Sequence, residues 1–278
     1  MKLTGFRKHL TGEAEFMSYV PTPLTEIHVV HTAELDGLIE EVENSVRQLN
    51  AYASQLPYDH IRQLMLYEAE NSCMLAFGGQ TSNADTTTKE GNALKEDTAN
   101  LLKATSYAVE AMDGLPLSAR LLKNTHYLMC DSDRYEKMYP GEFRTSPVWI
   151  GQKGNSLKEA TFVPPVYEDM TDSFTDLERY INYECSENVF VRAALIHYQF
   201  EMIHPFIDGN GRIGRLLNTL YLMNQDALEY PILQLSAVLN KKMLGYYMRI
   251  QNVNDTREYD DWVRFYLNAL KSAASVRI

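Results

Sequence analysis

Residues 204–215 are His204-Pro205-Phe206-Ile207-Asp208-Gly209-Asn210-Gly211-Arg212-Ile213-Gly214-Arg215, which places a histidine, an acid, three glycines and two arginines close together. Glycine-rich backbone offers N–H groups to phosphate oxygens, and the start of a helix adds a partial positive charge. Arginines bind further phosphate oxygens in bidentate fashion. Asp208 can hold a divalent cation through oxygen, and His204 can accept a proton from a hydroxyl. The run therefore predicts a nucleotide site with its own general base.

Helical patterns flank this run on both sides. Residues 189–203 are mostly apolar or small and contain no glycine or proline, and Pro205 ends the helix because proline lacks a backbone N–H. From Arg212 onward, apolar residues again recur at helical spacing. The glycines therefore lie in a turn between two helices. Residues 209–214 match the dinucleotide pattern G-x-G-x-x-G, but that pattern needs a preceding strand, so we exclude a nicotinamide or flavin site.

A zinc site on the first of these helices is another alternative, because His197, Glu201 and His204 share it. The two histidines are separated by about 10.5 Å of helical rise, whereas zinc–nitrogen bonds are about 2 Å long. One ion cannot bind both on a straight helix. We therefore predict that His197 is a packed core residue.

The rest of the chain is predicted to be almost entirely helical. Apolar residues recur at helical spacing over residues 33–56, 58–76, 95–112, 117–131, 171–183, 189–203, 212–225, 232–251 and 258–274. Residues 1–25 are predicted to be irregular, and residues 80–92 are polar and turn-like. The short β-prone runs 148–150 and 161–163 flank a glycine-containing connection and predict a small β-hairpin. We therefore expect an all-α fold with one small hairpin.

Composition narrows the class of partner and the compartment. The formal net charge is −11 and the isoelectric point is about 5.1, whereas nucleic-acid-binding domains are usually basic, so we expect no nucleic-acid partner. No apolar run is long enough for a membrane span, and the N-terminus lacks the apolar segment of a secretory signal. The widely spaced Cys73, Cys130 and Cys185 favour free thiols in a reducing compartment. We expect a cytoplasmic protein that does not enter a membrane.

Several segments together resemble the Fic (filamentation induced by cAMP) family. The run 204–215 resembles the signature of that family, and the segments before and after it resemble the flap, the helix that precedes the signature, and the C-terminal part. The first of the matching segments resembles the N-terminal region of many bacterial members. The segments are 19–24 (YVPTPL), 140–144 (PGEFR), 148–151 (VWIG), 162–165 (FVPP), 191–200 (VRAALIHYQF), 231–233 (PIL) and 262–267 (WVRFYL).

The resemblance implies a Fic-type helical bundle with a β-hairpin flap, and transfer of AMP from ATP, with Mg²⁺, to a Ser, Thr or Tyr hydroxyl of a target protein. It implies that His204 takes the hydroxyl proton and that Asp208 holds Mg²⁺. The residues that would bind ATP and its phosphates are Gly209, Asn210, Gly211, Arg212, Ile213, Gly214 and Arg215. The flap residues that would dock the target by strand addition are Trp149, Ile150, Phe162 and Val163. Self-modification is expected, and an oligomer is compatible with the sequence.

Many members of this family carry an inhibitory helix with the pattern Ser/Thr-x-x-x-Glu-Gly/Asn, whose glutamate pairs with the second signature arginine, here Arg215. By position, the helix around Ser72 resembles it, but Ala76 stands where the glutamate is expected. We therefore expect that nothing on this helix neutralises Arg215. Residues 86–91 (TTTKEG) also fit the pattern, with Glu90 as the alternative, and we favour the Ser72 register.

The chain divides near residue 112. We place residues 1–112 in an N-terminal helical region that includes the candidate inhibitory helix, and residues 113–278 in a Fic catalytic core with C-terminal helices, the two packed as one unit. The expected function is that of a protein adenylyltransferase. The alternatives are a Fic enzyme that transfers another phosphate-containing group and a non-catalytic nucleotide-sensing regulator. The intact His204 and Arg215 favour AMP transfer.

Overall fold

Ten α-helices and one small antiparallel sheet are present in the described residues, which are 4–10, 15–76, 89–151, 155–183 and 186–276 of this computed structural model. The helices are Ala33–Ala53 (α1), Tyr58–Ala76 (α2), Lys89–Ala111 (α3), Ala119–Met129 (α4), Tyr167–Asn182 (α5), Val189–Ile203 (α6), Asn210–Asn224 (α7), Leu235–Lys241 (α8), Met243–Thr256 (α9) and Asp260–Ala274 (α10). The sheet is a hairpin of Gly5–His9 (β1) and Phe16–Val20 (β2). The mostly helical fold class that the sequence predicts is confirmed.

Helices α6 and α7 form the centre of the fold. All residues of α6 except Val189 and Glu201 are buried, which explains why its sequence is apolar around the whole circumference and not on one face only. Helix α7 packs against α6 and also contacts α2, α3 and α4. Helix α10 packs against α1, α6 and α8. The loop 204–209 joins the two central helices, so the core of the protein fixes both of its ends.

One hydrophobic core continues through the N-terminal and C-terminal parts of the chain. It includes Leu64 of α2, Leu101 of α3, Ile196 of α6, Leu217 of α7 and Trp262 of α10. Side-chain packing therefore crosses the boundary that the sequence suggests near residue 112. The position of that boundary stays a prediction.

Residues 1–25 differ from the predicted irregular structure, because β1 and β2 form a hairpin there. Four of the five residues of β2 are buried, so the strand lacks the clear alternation that would have revealed it. The ring of Phe6 packs edge-on against Tyr19, with 5.2 Å between the ring centroids. The backbone N–H of Tyr19 donates to the carbonyl oxygen of Val163 at 2.8 Å, so the hairpin is joined to the 161–163 segment.

The predicted bounds of the helices also need correction in two places. Helix α3 begins at Lys89, so the end of the polar stretch 80–92 is helical and not turn-like, while residues 77–88 lie outside the described residues. The predicted helix 232–251 is divided into α8 and α9, because the backbone turns at Lys242 (φ −115°, ψ 20°). Helix α8 has its own N-terminal contact, since the carboxylate of Glu68 accepts the N–H of Ser236 at 2.8 Å.

The β-hairpin predicted between residues 148 and 163, called the flap below, is reduced to a single bridge. Ile150 pairs with Phe162, whose carbonyl oxygen accepts the N–H of Ile150 at 2.8 Å, and the N–H of Thr161 donates to the carbonyl of Ile150 at 2.8 Å. Residues 152–154 of the predicted connection lie outside the described residues. Among its described residues, the flap therefore has the predicted antiparallel pairing at one residue pair and no regular strands.

Two further expectations from the sequence concern membrane-spanning helices and free thiols. Among the described helices, none is long and apolar enough to cross a membrane. Cys73 and Cys130 are buried free thiols, as their spacing predicts, and Cys185 lies outside the described residues.

Candidate active site

The loop between α6 and α7 contains two left-handed backbone positions. His204 is the C-terminal cap of α6 with φ 48° and ψ 61°, a conformation that is uncommon for a residue other than glycine. Gly209 has φ 81° and precedes the first residue of α7. Its dihedral angle favours glycine at this position, and a Cβ atom there would approach the flexible end of Met129, 2.5 Å from its Cε.

The side chain of Asn210 closes this loop. Its Oδ1 accepts the N–H of Phe206 at 2.8 Å, and its Nδ2 donates to the carbonyl oxygen of Phe206 at 2.8 Å. The amide of Asn210 is therefore already used, and any contact with a phosphate would come from its backbone. In an α-helix the first N–H groups have no intrahelical acceptor, so the start of α7 offers donors to an anion.

His126 on α4 contacts the backbone of the same loop. This residue was not identified from the sequence. The backbone N–H of Gly141 donates to its Nδ1 at 2.9 Å. Its Nε2 must therefore carry the proton, which it donates to the carbonyl oxygen of Asp208 at 2.9 Å. The ring also stacks on Phe206, with 3.9 Å between centroids. Burial lowers the pKa of His126 to about 4, so the ring is neutral at pH 7, as this arrangement requires.

His204 is arranged to accept a proton. Its Nδ1 lies 3.2 Å from the backbone carbonyl oxygen of Glu201, so Nδ1 carries the hydrogen and Nε2 keeps its lone pair. Burial, with a smaller effect of the positive charge of Arg144, lowers the pKa of His204 to about 4, although the Glu201 carbonyl and Asp208 act in the opposite direction. The imidazole is therefore neutral at pH 7, which is the state that a general base needs.

The carboxylate of Asp208 stands at the start of α7 and is 51% exposed. Its Oδ1 accepts the N–H of Gly209 at 2.5 Å and lies 3.7 Å from the NH2 of Arg212. No group of three or more metal-ligating side chains occurs within the described residues. A cation held here would therefore depend on Asp208 together with oxygens of a bound phosphate, which is how Mg²⁺ is usually bound.

Arg212 is buried beside a carboxylate that the sequence analysis missed. Its NH1 lies 3.2 Å from Oδ2 of Asp97 on α3, and Asp97 also pairs with Arg134 and accepts the hydroxyl of Tyr135. Within the described residues, Nε of Arg212 is buried without a hydrogen-bond partner, whereas NH1 faces Asp97. A buried donor without a partner costs about 1–3 kcal/mol, so Nε suits a ligand oxygen.

Arg215 contacts α2, although its hydrogen bonds there are to uncharged groups. Its Nε donates to Oγ of Ser72 at 3.0 Å, and its NH2 donates to the carbonyl oxygen of Ser72 at 2.8 Å. Glu68, on the same helix, attracts Arg215 electrostatically, although burial raises the pKa of Glu68 to about 7 and so reduces its charge. The expectation that no group on this helix neutralises Arg215 stays a prediction.

Three residues assigned to phosphate binding also have close packing contacts. Ile213 is fully buried, and its N–H is bonded to the carbonyl of Gly209 at 3.0 Å, so it cannot be given to a phosphate. A Cβ atom on Gly214 would lie 2.6 Å from Oε1 of Glu201, so this glycine allows α6 and α7 to approach each other. Gly211 serves Arg215 in the same way, since a Cβ atom there would lie 2.9 Å from the NH1 of Arg215.

The four flap residues are not equivalent. Trp149 is 44% exposed and Ile150 is 47% exposed, whereas Phe162 is half-buried. Val163 is buried, and its carbonyl oxygen accepts the N–H of Tyr19, so its docking role has no support from exposure and stays a prediction. Trp149 and Ile150 are therefore the two of the four whose side chains are largely exposed.

The two candidate inhibitory positions are both exposed. Ala76 is the last residue of α2, one turn beyond Ser72, and Glu90 lies in the first turn of α3. Residues 86–88 of the alternative pattern lie outside the described residues. The choice between the two positions stays a prediction.

His197 is a core histidine, as the sequence predicts. Its Nδ1 lies 3.2 Å from the carbonyl oxygen of Gly214, and its Nε2 lies 2.9 Å from the hydroxyl of Tyr246. Burial lowers the pKa of His197 to about 3. Both ring nitrogens of His197 have protein partners, so neither is available to bind a metal ion in this structure.

The side chains that the sequence analysis missed have one signal in common. Asp97 and His126 occupy buried positions on helices whose neighbouring turns are apolar, with Leu101 and Leu122 one turn away. A polar residue on the buried face of an amphipathic helix needs a partner. That pattern could have identified them as candidates, although not their partners.

Comparison with known proteins identifies related sequences for the central part of the chain. Residues 116–222 match the family described as the Fic/DOC family. Protein adenylyltransferase Fic of Drosophila ananassae is 35% identical over 127 residues, which are 45% of this chain and 22% of that protein. Protein adenylyltransferase fic-1 of Caenorhabditis briggsae is 29% identical over 133 residues, which are 47% of this chain and 22% of that protein. The matched part is thus about a fifth of the length of these curated relatives.

Solved structures share the fold over most of the chain. A Fic family protein from Desulfovibrio desulfuricans has a TM-score of 0.68 at 21% identity, covering 88% of this chain and 74% of that one. A Fic domain containing signaling protein from Bacteroides thetaiotaomicron has a TM-score of 0.59 at 18% identity, covering 86% of this chain and 95% of that one. At these identities the similarity concerns the fold.

Proposed function

The chain belongs to the Fic family, and from this premise we propose that it is a protein adenylyltransferase, which transfers AMP from ATP to a Ser, Thr or Tyr hydroxyl of a target protein. One observation carries the proposal. A neutral histidine, His204, caps the end of α6, and a buried arginine whose Nε has no partner among the described residues, Arg212, lies in the first turn of α7. A base and an anion site on the two sides of one short loop suit transfer of a nucleotidyl group to a hydroxyl.

His204 is the proposed general base. Because its Nδ1 hydrogen is directed at the Glu201 carbonyl, Nε2 is free to accept the proton of a target hydroxyl. The hydroxyl oxygen attacks the α-phosphorus of ATP and a new oxygen–phosphorus bond forms. The bond from the α-phosphorus to the bridging oxygen breaks, and pyrophosphate leaves. A positioned general base of this kind typically contributes about 10²–10⁴ in rate.

The phosphate chain of ATP is proposed to lie over the start of α7. There it meets the first N–H groups of the helix and the partial positive charge of the helix dipole. The unpartnered Nε of Arg212 supplies a further donor, and charge-assisted bonds of this type are about twice as strong as neutral ones. Arg215, held by Ser72, adds a second positive charge one turn later.

Mg²⁺ is proposed to bind at Asp208. The half-exposed carboxylate and two or more phosphate oxygens would supply its ligands, in keeping with the preference of Mg²⁺ for oxygen and for few protein ligands. When bound, the ion neutralises phosphate charge and stabilises the departing pyrophosphate. Asp208 is itself fixed by the N–H of Gly209, so its position does not depend on the ion.

The target segment is proposed to pair with the outer edge of the flap at Val148–Ile150. The N–H and carbonyl groups of Ile150 face Phe162, and since these groups alternate along a strand, those of Trp149 face outward. The opposite edge is taken at Val163 by Tyr19. The exposed side chains of Trp149 and Ile150 would contact the residues next to the modified hydroxyl. The chain itself is one candidate target.

Isotopic labelling of ATP tests the proposal. The protein is incubated with Mg²⁺ and ATP labelled at the α or the γ position, alone and with a cell lysate, and His204→Ala serves as the control. We expect protein-bound label from the α position only, and none with the variant. Label from the γ position would identify transfer of another phosphate-containing group. Binding of Mg²⁺–ATP by calorimetry without any transfer would identify a nucleotide-sensing regulator.

We also propose that the protein is cytoplasmic, because of its free thiols. Cys73 and Cys130 are buried and unpaired, which is typical of proteins in a reducing compartment such as the cytoplasm. Cell fractionation with an antibody against the chain tests it.

A further inference from the structure

Arg144 is a buried arginine that the proposed chemistry leaves without a role. The residue is 2% exposed and precedes the flap. Its donors reach five backbone carbonyl oxygens: Nε to His204 at 2.7 Å, NH2 to Pro165 at 2.7 Å and to Ile203 at 3.2 Å, NH1 to Ser146 at 3.4 Å, and the backbone N–H to Pro205 at 2.9 Å.

These acceptors come from two parts of the molecule. Ile203, His204 and Pro205 are the end of α6, where carbonyl groups have no intrahelical partner and where a positive charge is favoured by the helix dipole. Ser146 and Pro165 lie on the two sides of the flap. No described carboxylate forms an ion pair with Arg144. Burial lowers the pKa of Arg144 to about 10, so the guanidinium is still charged at pH 7 and its bonds to the carbonyls are charge-assisted.

The position of these bonds matters because His204 is strained. A left-handed conformation is unfavourable in a residue other than glycine and persists only where the surroundings impose it. Arg144 binds the carbonyl oxygens of His204 and of the residues on both sides of it. We propose that Arg144 is a positioning residue, which imposes the left-handed conformation on His204 and fixes the flap to it, so that base and target segment keep one relative position. This inference rests on the proposed function.

Arg192 is a matched control for Arg144. It is also a buried arginine, 4% exposed, and its NH2 also donates to two backbone carbonyls at a helix end, those of Tyr180 at 2.6 Å and Tyr183 at 3.2 Å. It lies in the first turn of α6, at the end of that helix opposite to His204. Substitution of Arg192 therefore reproduces the cost of losing a buried guanidinium without touching the loop.

The experiment compares Arg144→Lys and Arg144→Gln with Arg192→Lys and Arg192→Gln. Thermal unfolding reports stability, calorimetry reports Mg²⁺–ATP affinity, and the rate of label incorporation from α-labelled ATP into the chain itself reports transfer. We expect the Arg144 variants to lose up to about 100-fold in rate, because a small displacement of a reacting group has that effect. Their Mg²⁺–ATP affinity should stay within about twofold of wild type, since Arg144 contacts no part of the phosphate site. The Arg192 variants should lose thermal stability but little rate.

A second measurement separates this inference from the proposed function. The nitrogen chemical shifts of the His204 ring, assigned by comparison with His204→Gln, report its tautomer. We expect the wild-type ring to carry its hydrogen on Nδ1 and the Arg144→Lys ring to show a mixture. If the wild type transfers no label, the proposed function fails, and the tautomer alone tests the positioning role. Equal rates in the Arg144→Lys and Arg192→Lys proteins, or an unchanged His204 ring in Arg144→Lys, would overturn it.

Discussion

The two ends of the loop between α6 and α7 are held by different kinds of contact. At the histidine end, Arg144 binds the backbone carbonyl oxygens of His204 and of its two neighbours. At the arginine end, Ser72 and Asp97 bind the side chains of the arginines themselves. The first set fixes the path of the chain whatever side chains it carries. The second set fixes the direction of two long side chains whose backbone is already part of a helix.

The supports of the two ends also come from different parts of the sequence. Arg144 belongs to the segment 113–278, whereas Ser72 and Asp97 are on α2 and α3 of the N-terminal region. Changes in α2 and α3 should therefore alter how phosphates are bound without moving the base. Changes around residue 144 should alter the base without affecting phosphate binding. The predictions below test this division.

Loss of the base should have the largest effect. His204→Ala should lower the rate of AMP transfer by about 10²–10⁴ and leave Mg²⁺–ATP affinity nearly unchanged, because the imidazole acts on the target hydroxyl. Label incorporation and calorimetry measure the two quantities. His28→Ala is the control, since His28 is exposed and distant in sequence from the loop. A variant that keeps near wild-type turnover would show that another group takes the proton.

The phosphate end should respond in the opposite manner. Arg212→Ala and Asp208→Ala should each weaken Mg²⁺–ATP binding by about 10–100-fold, because a hydrogen bond to a charged group contributes about 1.5–3 kcal/mol. For Asp208→Ala the loss should be much smaller in titrations of ATP with excess chelator, since the carboxylate acts through the cation. Arg47→Ala, an exposed arginine on α1, is the control. Unchanged calorimetric affinity in both variants would remove the proposed roles.

The pH dependence of the rate tests the state of His204. Because burial lowers its pKa to about 4, the ring stays neutral as pH falls from 8 to 5.5, and the rate should change little over that range. The rate should fall as pH decreases through about 4, where the ring gains a proton. A histidine with the ordinary pKa of about 6.5 would lose about tenfold at pH 5.5. Circular dichroism at each pH confirms that the chain remains folded, and an acid limb near 6.5 would contradict the assignment.

The loop was predictable because its residues are adjacent in sequence. Helices α6 and α7 and the turn between them follow from apolar periodicity, Pro205 and the glycines, all of which act locally. The supports were not predictable, because Arg144 is about 60 residues from its acceptor His204 and Ser72 is 143 residues from Arg215. No short-range pattern links such pairs. A buried arginine bonded only to backbone carbonyls leaves no partner residue that a sequence could reveal.

The smallest expected effect concerns regulation at the arginine end. Ser72 holds Arg215 through neutral acceptors, burial raises the pKa of Glu68 to about 7 and so reduces its charge, and Ala76 has no carboxylate. The wild type should therefore modify itself without an activating mutation. Side chains of a helix lean toward its N-terminus, so a glutamate at position 76 would lie over the turn of Ser72 and reach Arg215. Ala76→Glu should then lower self-modification by about tenfold, the effect of one charged hydrogen bond. Ala76→Gln, which has the same length without the charge, is the control and should have a weaker effect.

Glu90→Gly should change little, because Glu90 is exposed at the start of α3. A silent wild type that Glu90→Gly activates would show that residues 86–91 hold the inhibitory acid and that α2 serves only to orient Arg215.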